Sequence, residues 1–149
     1  VNDLLRRRLA RANVLYLDLV DALTAEQLGS HLASTPSDTL GHQLWCVLGA
    51  RESYPKAARA GEWQGFTSPV TAAETTDAAA LRAAFEQTAS DVDDWVAGLD
   101  AGDEASFSYV LALLEHETQH HGQLIRFLYG NGIARPQSWQ QQYALDEDF

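Results

Sequence analysis

SFSYVLALLEHETQHHGQLIRFLY, residues 106–129, followed by Gly130-Asn131-Gly132, is the stretch that decides the fold. At 100° per residue, Val110, Leu113, Leu124, Phe127 and Leu128 gather on one arc, while Glu115, Gln119, Gln123 and Arg126 face the other way. That period predicts an amphipathic helix from about residue 106 to about residue 129, and the glycine-bearing end supplies its stop. His120 falls inside the apolar arc and His116 lies at its edge.

Three further helices are expected upstream. Leu4, Leu5, Leu9, Val14, Leu15, Leu17, Leu19 and Val20 recur at three- and four-residue steps, predicting a helix from about residue 2 to about 22. Thr24-Ala25-Glu26-Gln27 reads as a capping box opening a short turn. Asp38 or Thr39 is placed to cap a second helix over about 40–60, in which Pro55 marks a kink or an early end. Residues 61–69, with Gly61, Gly65 and Pro69 around Trp63 and Phe66, predict a loop that tucks its aromatics against the body. A third, alanine-rich helix over about 77–98 carries Leu81, Phe85, Val92 and Trp95, and residues 100–103 form a turn. A tail with Pro136, Trp139, Tyr143 and Leu145 is expected to lie back on the helices. With no internal repeat and no strand pair, the pattern predicts an all-α, antiparallel up-down four-helix bundle with an aromatic C-terminal tail, one domain over residues 1–149.

Composition narrows the function. With 149 residues, of which 46% are hydrophobic, the chain can bury one sizeable core. A net charge of -11, from 21 acidic against 10 basic residues, repels a phosphate backbone and argues against nucleic-acid binding. The cluster of Arg6, Arg7, Arg8 and Arg11 is the polar side of the first helix. No apolar run reaches the ~20 residues that span a bilayer, and the opening VNDLLRRRLARA has no signal-peptide core, so a cytoplasmic location is expected. Cys46 is the single cysteine, which precludes an internal disulfide and suits a reducing compartment.

Four of the five histidines fall on two helices. His116 and His120 are spaced i, i+4, one turn apart on one face, the geometry with which paired helical histidines hold a divalent ion. His121 points about 100° away from His120. On the second helix His42 and Cys46 repeat the i, i+4 spacing on a stripe continued by Gly49 and Ser53, opposite Leu40, Leu44, Val47 and Leu48. Thiolate and imidazole both ligate zinc, so helical pairs on two helices can supply three or four ligands to one ion. Half-buried histidines also serve as hydrogen-bonded core residues and a lone cysteine as a small hydrophobe, so the spacing names candidates and leaves their role open. There is no GxGxxG, P-loop or GxSxG elbow. His116-Glu117-Thr118-Gln119-His120 is read as a helical histidine pair, apart from the metalloprotease HExxH, with Glu117 beside it as a candidate for proton transfer or for orienting the ligands.

HETQHHGQLIRFLYGNGI, residues 116–133, resembles the fourth-helix signature of the DinB/YfiT-like metalloenzymes, and the match extends to residues 39–52 and to the order of the helices. The resemblance implies an up-down four-helix bundle, commonly a homodimer, holding a divalent ion with one histidine of the second helix and two of the fourth. The wider superfamily includes S-transferases of low-molecular-weight thiols and a mycothiol-dependent isomerase. His116 and His120 match the two fourth-helix ligands. Counted from Thr39-Leu40-Gly41, the second-helix ligand position falls on Cys46, with His42 one turn earlier. Either Cys46 replaces the ligand, or His42 takes it over, or the site no longer holds metal. Cysteine there favours a softer ion, zinc or nickel, over a hard one.

The function this predicts is a divalent-metal-dependent transferase in which the ion activates a low-molecular-weight thiol for attack on a small-molecule substrate. If His42 and Cys46 both bind, the shell closes at four and a structural zinc follows. The alternative is a non-catalytic dimeric binding or stress-related module with a degenerate site. A third reading, a reactive thiol at Cys46, requires an exposed group of low pKa.

Overall fold

A computed structural model describes residues 1–147. Its regular structure is all helical: α1 (Asn2–Ala22), α2 (Ala25–Leu28), α3 (Leu40–Ala60), α4 (Ala78–Ala97), α5 (Glu104–Gly130) and α6 (Gln137–Tyr143), with a 3₁₀ turn at Ala72–Glu74. Among the described residues there is no strand, and no helix is long and apolar enough to cross a membrane.

Side-chain caps set the boundaries. Thr39 Oγ1 accepts the His42 N–H and opens α3, and the Asp77 carboxylate accepts the Ala79 and Ala80 N–H groups at the start of α4. Asp103 accepts the Ser106 N–H, which moves the start of α5 back to Glu104, two residues before the expected 106. At the other end the Ile133 N–H donates to Leu128 O and the Gly132 N–H to Tyr129 O, a Schellman closure with Gly132 at φ +62° and Ile133 buried behind it. The Thr24/Gln27 capping box forms as the sequence predicts. Pro55 neither ends nor interrupts the assigned helix, which runs on to Gly61 in the left-handed conformation.

The four long helices pack in two antiparallel pairs. Asn2 and Arg6 at the start of α1 bond to Val96, Leu99 and Asp93 at the end of α4, and Asp21 at the end of α1 pairs with Arg82 near the start of α4. Between α3 and α5, Gln43 meets His120, Cys46 meets His116 and Tyr54 meets Tyr109, again in opposite directions. α3 also contacts α4, and α1 contacts α5. Tyr16, stacked on Phe85 at 4.9 Å, is fully buried among them. The aromatic tail lies back on this body as expected, and part of it is helical: α6 buries Trp139, whose Nε1–H donates to Leu15 O at 2.7 Å.

Two glycines mark close approaches around α3. A Cβ on Gly41 would stand 2.1 Å from the backbone oxygen of Thr75, whereas one on Gly49 would meet the Phe66 ring at 1.9 Å. Backbone held by the 3₁₀ turn cannot move aside, but Phe66 is 41% exposed on a loop and can swing out. Gly41→Ala is therefore expected to cost about 2 kcal/mol in urea unfolding and Gly49→Ala about half a kcal/mol. Equal costs would show that the Gly41 crossing is not rigid.

Candidate metal centre

The stripe of α3 that carries Cys46 faces the edge of α5 that carries His116 and His120. Helical spacing stacks the two imidazoles, whose ring centroids are 4.5 Å apart, and the antiparallel crossing brings Cys46 Sγ to 3.6 Å from His116 Nε2. One ligating atom from each of Cys46, His116 and His120 lies within 4.8 Å of the other two. His120 is buried, and Cys46 and His116 are half-buried. His120 Nδ1–H donates to Gln43 Oε1 at 2.9 Å, which holds the ring and leaves Nε2 with a free lone pair. Tyr54 packs edge-on against His116, and on α3 beside Cys46 the Trp45 ring packs against Phe66 of the loop. His116 Nδ1 is buried without a hydrogen-bond partner.

His42, the fourth candidate, lies outside this group. Its Nδ1 is 2.5 Å from Asp38 Oδ1, just ahead of the Thr39 cap of α3, and the Asp38 carboxyl is held below its ordinary range; burial opposes that shift and the hydrogen bond from His42 drives it. His121 turns away from the cluster, as its position around the helix predicts, and its Nδ1 lies 2.6 Å from the Tyr143 hydroxyl beside Trp139.

Burial sets the protonation states of the three side chains. Burial pushes the His120 imidazole down to about 4, with the neighbouring His116 adding to it, and burial also lowers His116 against the pull of Glu117. Both rings are neutral ligands at pH 7. Burial raises the Cys46 thiol, and the charge of Asp38 adds to the rise. With a neutral imidazole beside it and a raised thiol, Cys46 does not meet the requirement of a reactive nucleophile.

Glu117 requires a correction. The segment spells H-E-x-x-H in full, from His116 to His120. The sequence offers no physical ground for separating it from the metalloprotease motif, whose glutamate acts as general base at the metal. The structure supplies that ground, because Glu117 is fully buried and turned away from its histidine neighbours into the core. Arg51 grips it through Nε–H to Oε1 at 2.7 Å and Nη2–H to Oε2 at 3.2 Å. The Arg51 guanidinium packs against the rings of Tyr16 and Phe85 and donates from Nη1 to Asn13 Oδ1 at 2.6 Å. Glu117 is thus neither a base at the cluster nor a bonded partner of its histidines. This ion pair was legible in outline: residue 117 continues the buried arc of residues 113, 120 and 124, and residue 51 continues that of 44, 47 and 48, with opposite charges. No protein-family model matches the chain, and no curated protein or solved structure matches it either.

Proposed function

We propose that the chain is a DinB/YfiT-like, up-down four-helix bundle in which Cys46, His116 and His120 hold one divalent ion, zinc or nickel, for the transfer of a low-molecular-weight thiol to a small electrophile. The observation that carries this reading is the convergence of three good ligands, from two different helices, within 4.8 Å. Three protein donors with His42 engaged elsewhere match the catalytic pattern, in which a fourth position is left for water or substrate, better than a closed structural shell. A thiolate among the ligands favours a soft ion. When bound, such an ion supplies Lewis acidity and lowers the pKa of a thiol or water beside it. The chain's own residues do the rest: Gln43 orients His120, and Tyr54 covers the edge of His116.

Elemental analysis of untagged protein tests the reading. Near-stoichiometric zinc or nickel is expected in the native chain and about a hundredfold weaker retention in the His116→Ala/His120→Ala variant. Binding releases the Cys46 proton, so affinity should rise with pH between 6 and 8 in the native chain and lose that slope in Cys46→Ala. Absence of metal in reconstituted native protein, or unchanged content in His120→Ala, overturns it. A second reading rests on one contact: Cys46 and His116 already satisfy each other across 3.6 Å, as they would in a binding module that has lost its ion. That reading expects no shift in Tm with chelator.

A further inference from the structure

A cavity of about 280 Å3 opens between α1 and α4, and its floor is the buried Arg51–Glu117 pair. Donors are left over there. Arg51 has five N–H groups. Two reach Glu117 and one reaches Asn13, and the remaining two find no acceptor among the described residues; nor does the Asn13 amide NH2. The Arg51 side chain is only 2% exposed, so an acceptor for these groups must come from whatever fills the cavity. The volume is far more than the ~30 Å3 share of one water and close to the lower bound of small-molecule sites. Leu9, Val14, Ala89 and Val92 give it apolar walls that offer water no partners.

Charge decides the class of ligand. Glu117 balances Arg51 on the floor, and at the mouth Asp93 takes both Nε–H and Nη2–H of Arg6 at 2.7 Å. A carboxylate ligand would enter a site already neutral and lie beside two acidic groups, and a cation would lie beside two arginines whose carboxylates are already taken. From the unused donors and the neutral, apolar surround we infer that this cavity binds a small, uncharged, largely apolar molecule through one carbonyl or similar oxygen that accepts from Asn13 and Arg51. The site is separate from the Cys46/His116/His120 cluster and independent of its occupancy.

Three probes of one size test it: acetophenone, ethylbenzene and benzoate, titrated into the native chain and followed by amide and side-chain NMR. Saturable binding of acetophenone is expected, with shifts at the Asn13 side-chain amide, about tenfold weaker binding of ethylbenzene, and none of benzoate. Ala89→Leu, which narrows the groove without touching the ion pair, should abolish binding while circular dichroism is unchanged. The His116→Ala/His120→Ala variant should bind as the native chain does. The inference is overturned if acetophenone does not saturate, if ethylbenzene or benzoate binds equally well, if Ala89→Leu makes no difference, or if the double histidine variant loses binding.

Discussion

Replacing Glu117 by Leu is expected to destabilise the protein by about 3–5 kcal/mol, because it leaves Arg51 charged and unpaired in the core. The guanidinium cannot escape to water: its side chain is 2% exposed and lies against Tyr16 and Phe85, with the Asn13 carbonyl as its one remaining acceptor. Against a total stability of roughly 5–15 kcal/mol for a domain, that loss is large, and it corresponds to a fall in Tm of about 6–20 °C. The double variant Arg51→Met/Glu117→Leu should recover most of it, since two apolar side chains of similar volume avoid the desolvation of both charges. Urea unfolding of the native chain, both single variants and the double variant gives the coupling directly. A single-variant cost below about 1 kcal/mol would mean that water reaches Arg51 and that the pair is not sealed.

The metal-free protein is expected to lose stability steeply between pH 6.5 and about 4, mostly above the range in which its carboxylates titrate. Burial lowers both His120 and His121 to about 4; His116 adds to the shift of the first, and the Arg51 cation, then His120, to that of the second. Both are almost fully buried. The unfolded chain takes up these protons near pH 6.5 and the folded chain only near 4, so the unfolded state binds more protons throughout this window. Stability is therefore complete above pH 6.5 and falls as the pH drops, with a ceiling of about 3 kcal/mol for each ring taken alone. The lowered carboxyls of Asp38, Asp93 and Glu52 act in the same direction but only below the ordinary carboxylate range, which separates the two limbs. Urea midpoints at pH 7, 6, 5 and 4.5 in chelator measure the first limb. His121→Phe keeps an aromatic ring against Tyr16 and Trp139 and should flatten it; an unchanged slope would assign the acid sensitivity elsewhere.

Helices were legible wherever the information lay within a few residues of chain. The bounds of α1 and α3 are those the apolar period and the caps predict, and α5 starts two residues early only because the cap is Asp103. Of the two expectations at Pro55, a kink or an early end, the early end did not occur: a proline costs the helix one N–H and a clash, but the tight packing of α3, with residues 51, 53, 55 and 57 all buried, holds the backbone helical through it. The helicity of residues 137–143 was not visible, since QSWQQQY has no period of its own and is held by Trp139 entering the core. Among the site residues, the His116/His120 pair was readable from spacing. The choice between Cys46 and His42 was not, because both share one stripe of α3.

The chain by itself determined what neighbours along a helix can decide: where the helices run, which caps close them, and that His116 and His120 stack on one face while His121 points elsewhere. Only the tertiary structure decided what meets across helices. Cys46 joins the histidines because α3 and α5 cross antiparallel with residue 46 opposite 116, whereas His42 is left to Asp38 at the end of the crossing. Glu117 is turned from an apparent catalytic group into the partner of a buried arginine for the same reason, since the register of α5 against α3 sets Arg51 beside it. Spacing along a helix follows from local geometry, but the register between helices follows from packing the whole apolar surface at once.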